Sequence, residues 1–319
     1  MSRVQTASGA PTPGREGQTF AGDSILARYA SFVKLPHTLF ALPFAGVGAI
    51  LASYHYPAGV SVATLLWILV AFTAARFVAM GFNRIVDREL DALNPRTRLR
   101  ELPSGRLTLG QAWVAVIVAA ALFIFAAWRL NPLCAALAPV ALAWVCFYSY
   151  TKRFTSLSHA VLGYSLGIAP VGAYLAIAGT WSEPWYALVI LASGVMCWVA
   201  GFDVIYAIQD LDFDRQQGLR SLPARLGLSG ALRAARIFHF LAVALFLSLR
   251  WVPGFPGGWL YLAGVAVMAA LLTYEHWIVR AQAPGKLDLV RIDRAFFRVN
   301  VGVSTTFFAF VLLDRLLLQ

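Results

Sequence analysis

The chain has 319 residues, of which 60% are hydrophobic and only 13% are charged, and its mean hydropathy is +0.69. A water-soluble protein of this length could not hide that much apolar surface in one core, so the composition excludes a soluble domain. Runs of roughly 20 apolar residues, separated by short polar or Pro- and Gly-containing breaks, predict transmembrane helices. The predicted fold class is therefore all-α, a polytopic membrane protein.

The net charge of +11 is unevenly placed along the chain. We predict nine spans, at residues 36–54, 60–83, 109–130, 132–150, 158–178, 185–209, 229–250, 258–279 and 296–316. Of the 26 Lys and Arg residues, all but four then fall on the face that carries the amino terminus. The four are Arg76, Arg129, Arg250 and Arg315. By the positive-inside rule the basic face is cytoplasmic, so the positive charge indicates orientation and an anionic substrate, and not a nucleic-acid partner.

The amino-terminal residues differ in composition from the rest. Residues 1–24 are rich in Gly, Ser, Thr and Pro without an apolar stretch, which predicts a disordered cytoplasmic tail and not a signal peptide. Residues 25–319 are predicted to form a single transmembrane domain, in which a short amphipathic helix from Arg28 to Lys34 precedes the first span. The three cysteines lie inside apolar spans without metal-ligand spacing, so no zinc site is indicated.

Two acidic motifs close long apolar runs. Asn83, Asp87 and Asp91 are spaced four residues apart, so a helix places them along one face. Asp210 and Asp214 repeat the spacing, and Asp203 lies two helical turns before Asp210. Ionised carboxylates near the end of a membrane helix are costly unless a cation meets them, which indicates function.

The sequence after each motif is also repeated. Arg100 and Arg220 follow the two motifs, and each is followed by Leu-Pro, at residues 102–103 and 222–223, then by Gly and a new apolar helix. The motif helices are the second and the sixth spans. We therefore predict two pseudo-symmetric four-helix halves with a ninth helix added, and a central cavity on which both acidic faces converge.

These residue types suit a metal and an anion. Carboxylates at the ends of two helices are hard oxygen ligands of the kind that Mg²⁺ prefers when it also bridges substrate phosphates. The neighbouring loops supply cations suited to a diphosphate, which are Arg96, Arg100, Lys152, Arg153 and Arg220. Each of these cations alone is better explained as a positive-inside anchor, but the set as a whole predicts a diphosphate site.

Two further residues are candidates by their position. Arg76 lies two turns deeper than Asn83 in the same apolar span, where an arginine is a functional candidate, although snorkelling toward the interface is the alternative. Tyr148 and Lys152 form Tyr-x-x-x-Lys at a helix end, a pattern that an aromatic belt and a positive-inside charge would also explain.

The chain resembles the UbiA family of intramembrane prenyltransferases over residues 30–316. The matching motifs are N-x-x-x-D-x-x-x-D at 83–91, R-T-x-x-R-x-L-P-x-G at 96–105, Y-x-x-x-K at 148–152, "DVIYAIQDLDFD" at 203–214 and "GLRSLPARLG" at 218–227. The resemblance implies nine helices and Mg²⁺-dependent transfer of a polyprenyl group from its diphosphate to a small aromatic acceptor. It also implies metal binding by Asn83, Asp87, Asp91, Asp210 and Asp214. Arg76, Arg100, Lys152 and Arg220 would bind the diphosphate or the acceptor.

The acceptor stays open at this point. Many family members that prenylate 4-hydroxybenzoate read N-D in the first motif and R-P-L-P in the loop, whereas this chain has Asn83-Arg84 and "RELP". The pattern resembles a subgroup of which some members act on a dihydroxynaphthoate in a menaquinone route. A sibling enzyme acting on haem or chlorophyllide is a further alternative, and a secondary transporter that uses paired carboxylates is the alternative from another class.

Further expectations concern the mechanism and the setting. Either the released diphosphate or a nearby carboxylate, for which Asp203 is the candidate, removes the ring proton of the acceptor. Residues of the first and ninth spans are candidates to line a groove for the lipid tail. We expect the bilayer, the polyprenyl diphosphate and the aromatic acceptor as partners, and the sequence indicates no protein partner. The expected location is a bacterial inner membrane with the active site on the cytoplasmic side.

Overall fold

The computed structural model describes residues 24–34, 38–255, 257–280, 292–293 and 295–317, with side chains from residue 41 in the second range. Regular structure in these ranges is entirely helical, as the composition predicts. The helices are α1 (Ile25–Phe32), α2 (Thr38–His55), α3 (Val62–Val86), α4 (Arg88–Leu93), α5 (Leu109–Leu130), α6 (Pro132–Thr151), α7 (Ser158–Ala178), α8 (Tyr186–Ala207), α9 (Leu211–Gln216), α10 (Leu222–Ser248), α11 (Trp259–Ile278) and α12 (Asn300–Leu317). The predicted tail lies outside the described residues except for Ser24, whose hydroxyl caps α1 by accepting from the amide of Ala27.

Eight helices of the described chain are long and apolar enough to cross a membrane, and these are α3, α5, α6, α7, α8, α10, α11 and the segment Ala295–Leu317 that contains α12. The remaining predicted span coincides with α2, whose described part Ala41–His55 is apolar but shorter. One boundary is corrected, because α10 begins at Leu222 and not at residue 229. Gly227 kinks that helix with a positive backbone angle (φ 68°) that glycine adopts readily, and the predicted span begins just after the kink.

Local sequence fixes several helix ends. Thr108 and Gln111 form a reciprocal capping box at the start of α5. The side chain of Asn131 caps α6 ahead of Pro132, and Ser221 caps α10 ahead of its proline. Gly179 ends α7 in the left-handed conformation that glycine adopts without steric cost. These caps satisfy amide and carbonyl groups that would otherwise be unpaired at helix ends.

Helix packing repeats in the two predicted halves. α3 packs along α5 in the first half, and α8 packs along α10 in the second, while α2 and α7 join the halves. The α2–α7 contact is close because Gly48 faces the carbonyl of Pro170, and a Cβ atom at Gly48 would overlap it. The arrangement agrees with the predicted pseudo-symmetry and leaves a space bounded by α3, α6 and α7.

Aromatic side chains fill the core of the second half. Phe44 of α2, Trp198 of α8, Phe246 of α10 and Phe307 of α12 form one buried cluster with ring centroids 4.8 to 5.8 Å apart. The expectation that the first and ninth spans line the groove for a lipid tail is therefore corrected for these phenylalanines. They pack in the core because they face neighbouring helices, whereas the cavity is lined mainly by α3, α6 and α7.

Candidate active site

Both acidic motifs interrupt their helices at the same point. α3 ends before Asp87, whose backbone (φ −93°, ψ 4°) leads into the six-residue α4. A 3₁₀ turn after α8 ends at Asp210, whose backbone (φ −102°, ψ 7°) leads into the six-residue α9. Main-chain hydrogen bonds of 2.9 Å from Asp87 to Asn83 and 2.7 Å from Asp91 to Asp87 continue across the first break. The spacing of four therefore keeps the polar side chains on one side, and the repeat in sequence is also a repeat in local structure.

Asp87 lies at the centre of the first cluster and is only 3% exposed. Nζ of Lys152, the residue that caps the end of α6, lies 2.8 Å from Asp87 Oδ2, and Asn83 Nδ2 donates to the same oxygen at 3.1 Å. Arg153 binds Asp87 less closely than Lys152 does. Its guanidinium donates at 2.9 Å to the carbonyl of Val86 and lies 3.5 Å from Asp87 Oδ1. The first motif is therefore paired with the Lys of the Tyr-x-x-x-Lys pattern.

Asp91 is bound by the loop that follows it. Arg100 Nη1 donates to Asp91 Oδ1 at 2.8 Å, and Thr97 Oγ1 donates to the main-chain carbonyl of Asp91 at 3.1 Å. The second carboxylate oxygen, Oδ2, is buried and accepts no hydrogen bond from the described part of the chain. The buried carboxylate thus keeps an oxygen available for another positive partner.

Asp210 joins the second motif to the loop of the first. Arg96 Nε donates to Asp210 Oδ1 at 2.8 Å, and Arg96 Nη2 donates to Oδ2 at 2.5 Å. Asn94 Nδ2 donates to Oδ1 at 2.9 Å, and Tyr206 lies beneath the guanidinium, with its hydroxyl 3.0 Å from Arg96 Nη1. The two acidic helix ends therefore meet at one face of the bundle, as the sequence predicts.

Lys152 and Asp214 also lie where the two acidic helix ends meet. Asp214 is 8% exposed, and it interacts with Ser221 and electrostatically with Lys152. Arg220 is placed differently from the prediction, since its guanidinium donates at 2.9 Å to the carbonyl of Phe154 and its amide donates at 2.8 Å to that of Lys152. Arg220 therefore holds the loop behind Lys152.

A cavity of about 670 Å³ lies next to the acidic helix ends. Its polar end is formed by the predicted residues Arg76, Asn83, Arg100, Tyr148 and Asp203. Its remaining wall is almost entirely apolar and includes Ala75, Phe123, Leu137, Val145, Leu166 and Ala173. Such a space holds a long apolar chain with a polar group at one end.

Asp203 is paired with a histidine that the sequence analysis did not select. Asp203 Oδ2 lies 2.6 Å from His159 Nδ1, while His159 Nε2 accepts from the amide of Leu222 at 3.4 Å. Because Nε2 is the acceptor, the proton of a neutral ring sits on Nδ1 and points to Asp203. Tyr148 lies within electrostatic reach of both Asp203 and Asp87, which brings the candidate base next to the first cluster.

Other site residues were missed by sequence reasoning. Asn94 and Tyr206 hold Asp210 and Arg96, and Lys34 lines the cavity with its ammonium 5.9 Å from the Tyr206 ring centroid. Tyr206 lies four residues before Asp210, so the spacing rule used for the carboxylates would have found it. Asn94 and Lys34 carry no comparable signal, because their roles depend on contacts between distant segments.

The donor set suits a hard divalent cation. Carboxylate and amide oxygens converge from both motifs, and the buried Oδ2 of Asp91 accepts no hydrogen bond within the described ranges. Among the described residues, no group of three or more His, Cys, Asp or Glu side chains is close enough together to hold a metal ion. Instead, Lys152, Arg100 and Arg96 each pair with a carboxylate, so the site presents alternating charges suited to a metal and an anion bound together.

Comparison with known proteins agrees with this architecture. A profile of the UbiA prenyltransferase family matches residues 41–301. The chain is 31% identical over 220 residues to the 4-hydroxybenzoate octaprenyltransferase of Citrobacter koseri, covering 67% of this chain and 73% of that protein.

Solved structures resemble the whole bundle. The apo structure of a UbiA homologue from Aeropyrum pernix K1 is 34% identical, with a TM-score of 0.77, and the match covers 88% of this chain and 98% of that one. A UbiA homologue from Archaeoglobus fulgidus bound to GPP and Mg²⁺ shares the fold at 18% identity, with a TM-score of 0.69 and coverage of 90% and 99%. The chain is thus an integral membrane enzyme that belongs to the UbiA prenyltransferase family.

Proposed function

We propose that this prenyltransferase moves a polyprenyl group from polyprenyl diphosphate to a ring carbon of a hydroxylated aromatic acid, with Mg²⁺ as its cofactor. The observation that carries the proposal is the junction of two paired acidic motifs with one end of a long apolar cavity. No other arrangement among the described residues combines metal-type ligands, cations and a lipid-sized space.

The diphosphate belongs at the polar end. Arg96, Arg100 and Lys152 are already fixed there by carboxylates, so they meet an anion without a large loss of side-chain freedom. The residues that would hold Mg²⁺ are Asn83, Asp87, Asp91, Asp210 and Asp214. When bound, the metal adds positive charge that offsets the negative charge developing on the departing diphosphate. Its use is supported by the oxygen-rich donor set and by the Archaeoglobus fulgidus homologue bound to GPP and Mg²⁺.

The polyprenyl tail belongs in the apolar part of the cavity. Small and aliphatic residues of α3, α6 and α7 line it and exclude water from the reacting carbon. Exclusion of water matters because the allylic carbon becomes electron-poor as its C–O bond breaks, and water would capture it. The bond electrons leave with the diphosphate.

The acceptor belongs between the diphosphate and Asp203. A ring carbon ortho to the hydroxyl forms the new C–C bond and then loses its proton to Asp203, which His159 orients through the 2.6 Å contact. Arg76 lines the same end of the cavity and would pair with the acceptor carboxylate. Asp203 is therefore the proposed base, supported by its contact with His159.

Relatives such as the 4-hydroxybenzoate octaprenyltransferase of Citrobacter koseri support a hydroxylated aromatic acid as the acceptor. They make 4-hydroxybenzoate the first candidate. A dihydroxynaphthoate is the second candidate because of the departures at Arg84 and Glu101. The secondary transporter is set aside because the chain belongs to a family of prenyltransferases. The concentration of Lys and Arg on the face of the acidic motifs supports a cytoplasmic active site in a bacterial inner membrane.

The proposal is tested with membranes that contain the protein, a polyprenyl diphosphate, and both aromatic acids offered together. Mass spectrometry of the lipid extract is expected to show one prenylated aromatic acid with loss of diphosphate, formed with Mg²⁺ and suppressed by EDTA. Empty membranes are the control. Recovery of both acids unchanged, with the wild-type protein folded and Mg²⁺ present, would overturn the proposed acceptor class.

A further inference from the structure

The two positions at which the chain departs from the common family motifs contact each other. Arg84 follows Asn83 in α3, and Glu101 follows Arg100 in the arginine loop, defined as residues 94–107. We propose that the Arg84–Glu101 ion pair is a positioning device that fixes the arginine loop on α3. By holding the loop it would set the affinity for polyprenyl diphosphate, a readout that rests on the proposed function.

Both side chains are buried. Arg84 is 4% exposed and Glu101 is 2% exposed, and Arg84 Nη1 lies 3.8 Å from Glu101 Oε2. Charges are rarely buried to this extent without an opposite charge, and neutralising one member removes that opposite charge from the other. At 3.8 Å the pair joins α3 to the loop by charge attraction, and Glu101 Oε2 accepts no hydrogen bond within the described ranges. The pair between Arg88 and Glu89 of α4 is shorter, at 2.8 Å, but it is exposed and lies within one helix.

Glu101 also organises the loop through its main chain. Its carbonyl accepts from the amide of Leu107 at 3.1 Å and from Ser104 Oγ at 3.4 Å, so the loop turns around this residue. Leu107 is buried in a hydrophobic cluster with Ile85 of α3, next to Arg84. The carboxylate and the turn thus hold one side of the loop against α3.

The other side of the loop carries the site arginines. Arg100 immediately precedes Glu101 and donates to Asp91 at 2.8 Å, and Arg96 grips Asp210 from the same loop. A shift at Glu101 would therefore move Arg100 directly. Positioning by the pair predicts an effect on diphosphate binding larger than the effect on the chemical step.

A direct role for Arg84 in binding substrate is the competing explanation, because Arg84 lines the cavity. Exchanging the charges of Arg84 and Glu101 distinguishes the positioning role from direct binding of substrate. If the pair positions the loop, Arg84→Glu and Glu101→Arg each impair the enzyme, and the double variant recovers since the ion pair is restored with opposite polarity. If Arg84 binds substrate, the double variant stays as impaired as Arg84→Glu.

The experiment measures KM for polyprenyl diphosphate and kcat for the single and double variants and for Glu101→Gln. We expect KM to rise roughly tenfold or more in the single variants and in Glu101→Gln, with kcat within about threefold of the wild type, and recovery of most of the loss in the double variant. The matched control is the exchange Arg88→Glu with Glu89→Arg, which alters an exposed pair and is expected to leave KM unchanged. Failure of the double variant to recover, or a Glu101→Gln enzyme with wild-type KM, would overturn the proposal.

A second readout does not need turnover. Arg98 and Arg106 are exposed sites for trypsin within the arginine loop. Loosening of the loop in Glu101→Gln is expected to speed cleavage there several-fold while the bundle stays folded in detergent, with a lower Tm because Arg84 loses the buried charge of Glu101. If Glu101→Gln is cleaved faster but the wild type forms no prenylated product, the positioning role stands and the proposed substrate is rejected. Unchanged cleavage in Glu101→Gln would reject the positioning role alone.

Discussion

Arg96 binds Asp210 through two nitrogen atoms, Nε at 2.8 Å and Nη2 at 2.5 Å, although 113 residues separate them in the chain. The pair connects the loop of the first acidic motif to the carboxylate of the second. Because cationic side chains from other segments of the chain bind the carboxylates of each motif, the two helix ends form one site.

Replacing Arg96 with alanine is expected to lower kcat/KM by about 100-fold or more, because it removes a bidentate, charge-assisted contact and frees the second motif. Lysine is expected to restore little of the loss, since an ammonium cannot make the paired contact. Steady-state kinetics with polyprenyl diphosphate provide the measurement. Arg98→Ala, an exposed change in the same loop, is the matched control and should retain near-normal rates.

Neutralising a motif carboxylate is expected to abolish turnover with little effect on folding. Asp87→Asn and Asp210→Asn keep the shape of the side chain while removing the charge that a metal requires, so we expect at least about a 100-fold loss of kcat. Asp212→Asn on the exposed side of α9 is the control. Near-normal rates in either site variant with Mg²⁺ present would contradict the assignment of metal ligands.

Alanine variants of Arg76 and Arg106 compare an arginine of the candidate site with an arginine of the surface. Arg76 lines the polar end of the cavity, whereas Arg106 is exposed in the arginine loop. Arg76→Ala is expected to raise KM for the aromatic acid roughly tenfold or more, since an ionic contact to the carboxylate would be lost. Arg106→Ala should have no such effect. Equal effects in the two variants would return Arg76 to the snorkelling explanation.

Asp203 is expected to affect the chemical step. Asp203→Asn removes the proton acceptor and should lower kcat by about 100-fold or more with a smaller change in KM for polyprenyl diphosphate. His159→Gln should cause a milder loss, because it disturbs only the orientation of Asp203. Single-turnover measurements separate this step from product release. An unchanged kcat in Asp203→Asn would assign the proton to another acceptor.

A stability prediction concerns the contact between the halves. Gly48→Ala would place a methyl group against the main chain of Pro170, so α2 and α7 would have to separate. We expect destabilisation of about 1–3 kcal/mol, the usual cost of overpacking, seen as a lower Tm in detergent. Gly110→Ala in α5 is the control, since open space surrounds it. A Tm equal to the wild type in both variants would contradict the close packing.

The motifs could be found without a structure because their spacing is local. Asn83, Asp87 and Asp91 repeat every four residues, and the repeat at Asp210 and Asp214 is visible by inspection. The helix break at each first aspartate was not predicted. Helical spacing survives the break because main-chain hydrogen bonds continue through Asp87.

The role of single cations was harder to assign. Arg96, Arg100 and Lys152 occupy the site as predicted, whereas Arg220 binds main-chain carbonyls behind it. A charge in a cytoplasmic loop satisfies the positive-inside rule wherever its side chain points. Its direction depends on the fold of two loops against each other, which the local sequence does not encode.

The sequence by itself determined the membrane class, the positions of the apolar helices and the two acidic motifs, because hydropathy and helical spacing are properties of neighbouring residues. Only the tertiary structure decided which cation meets which carboxylate, that His159 orients Asp203, and that Arg84 pairs with Glu101. These relationships join residues far apart in the chain. Their partners are selected by helix packing and by the need to neutralise buried charge, and both act only once the bundle has formed.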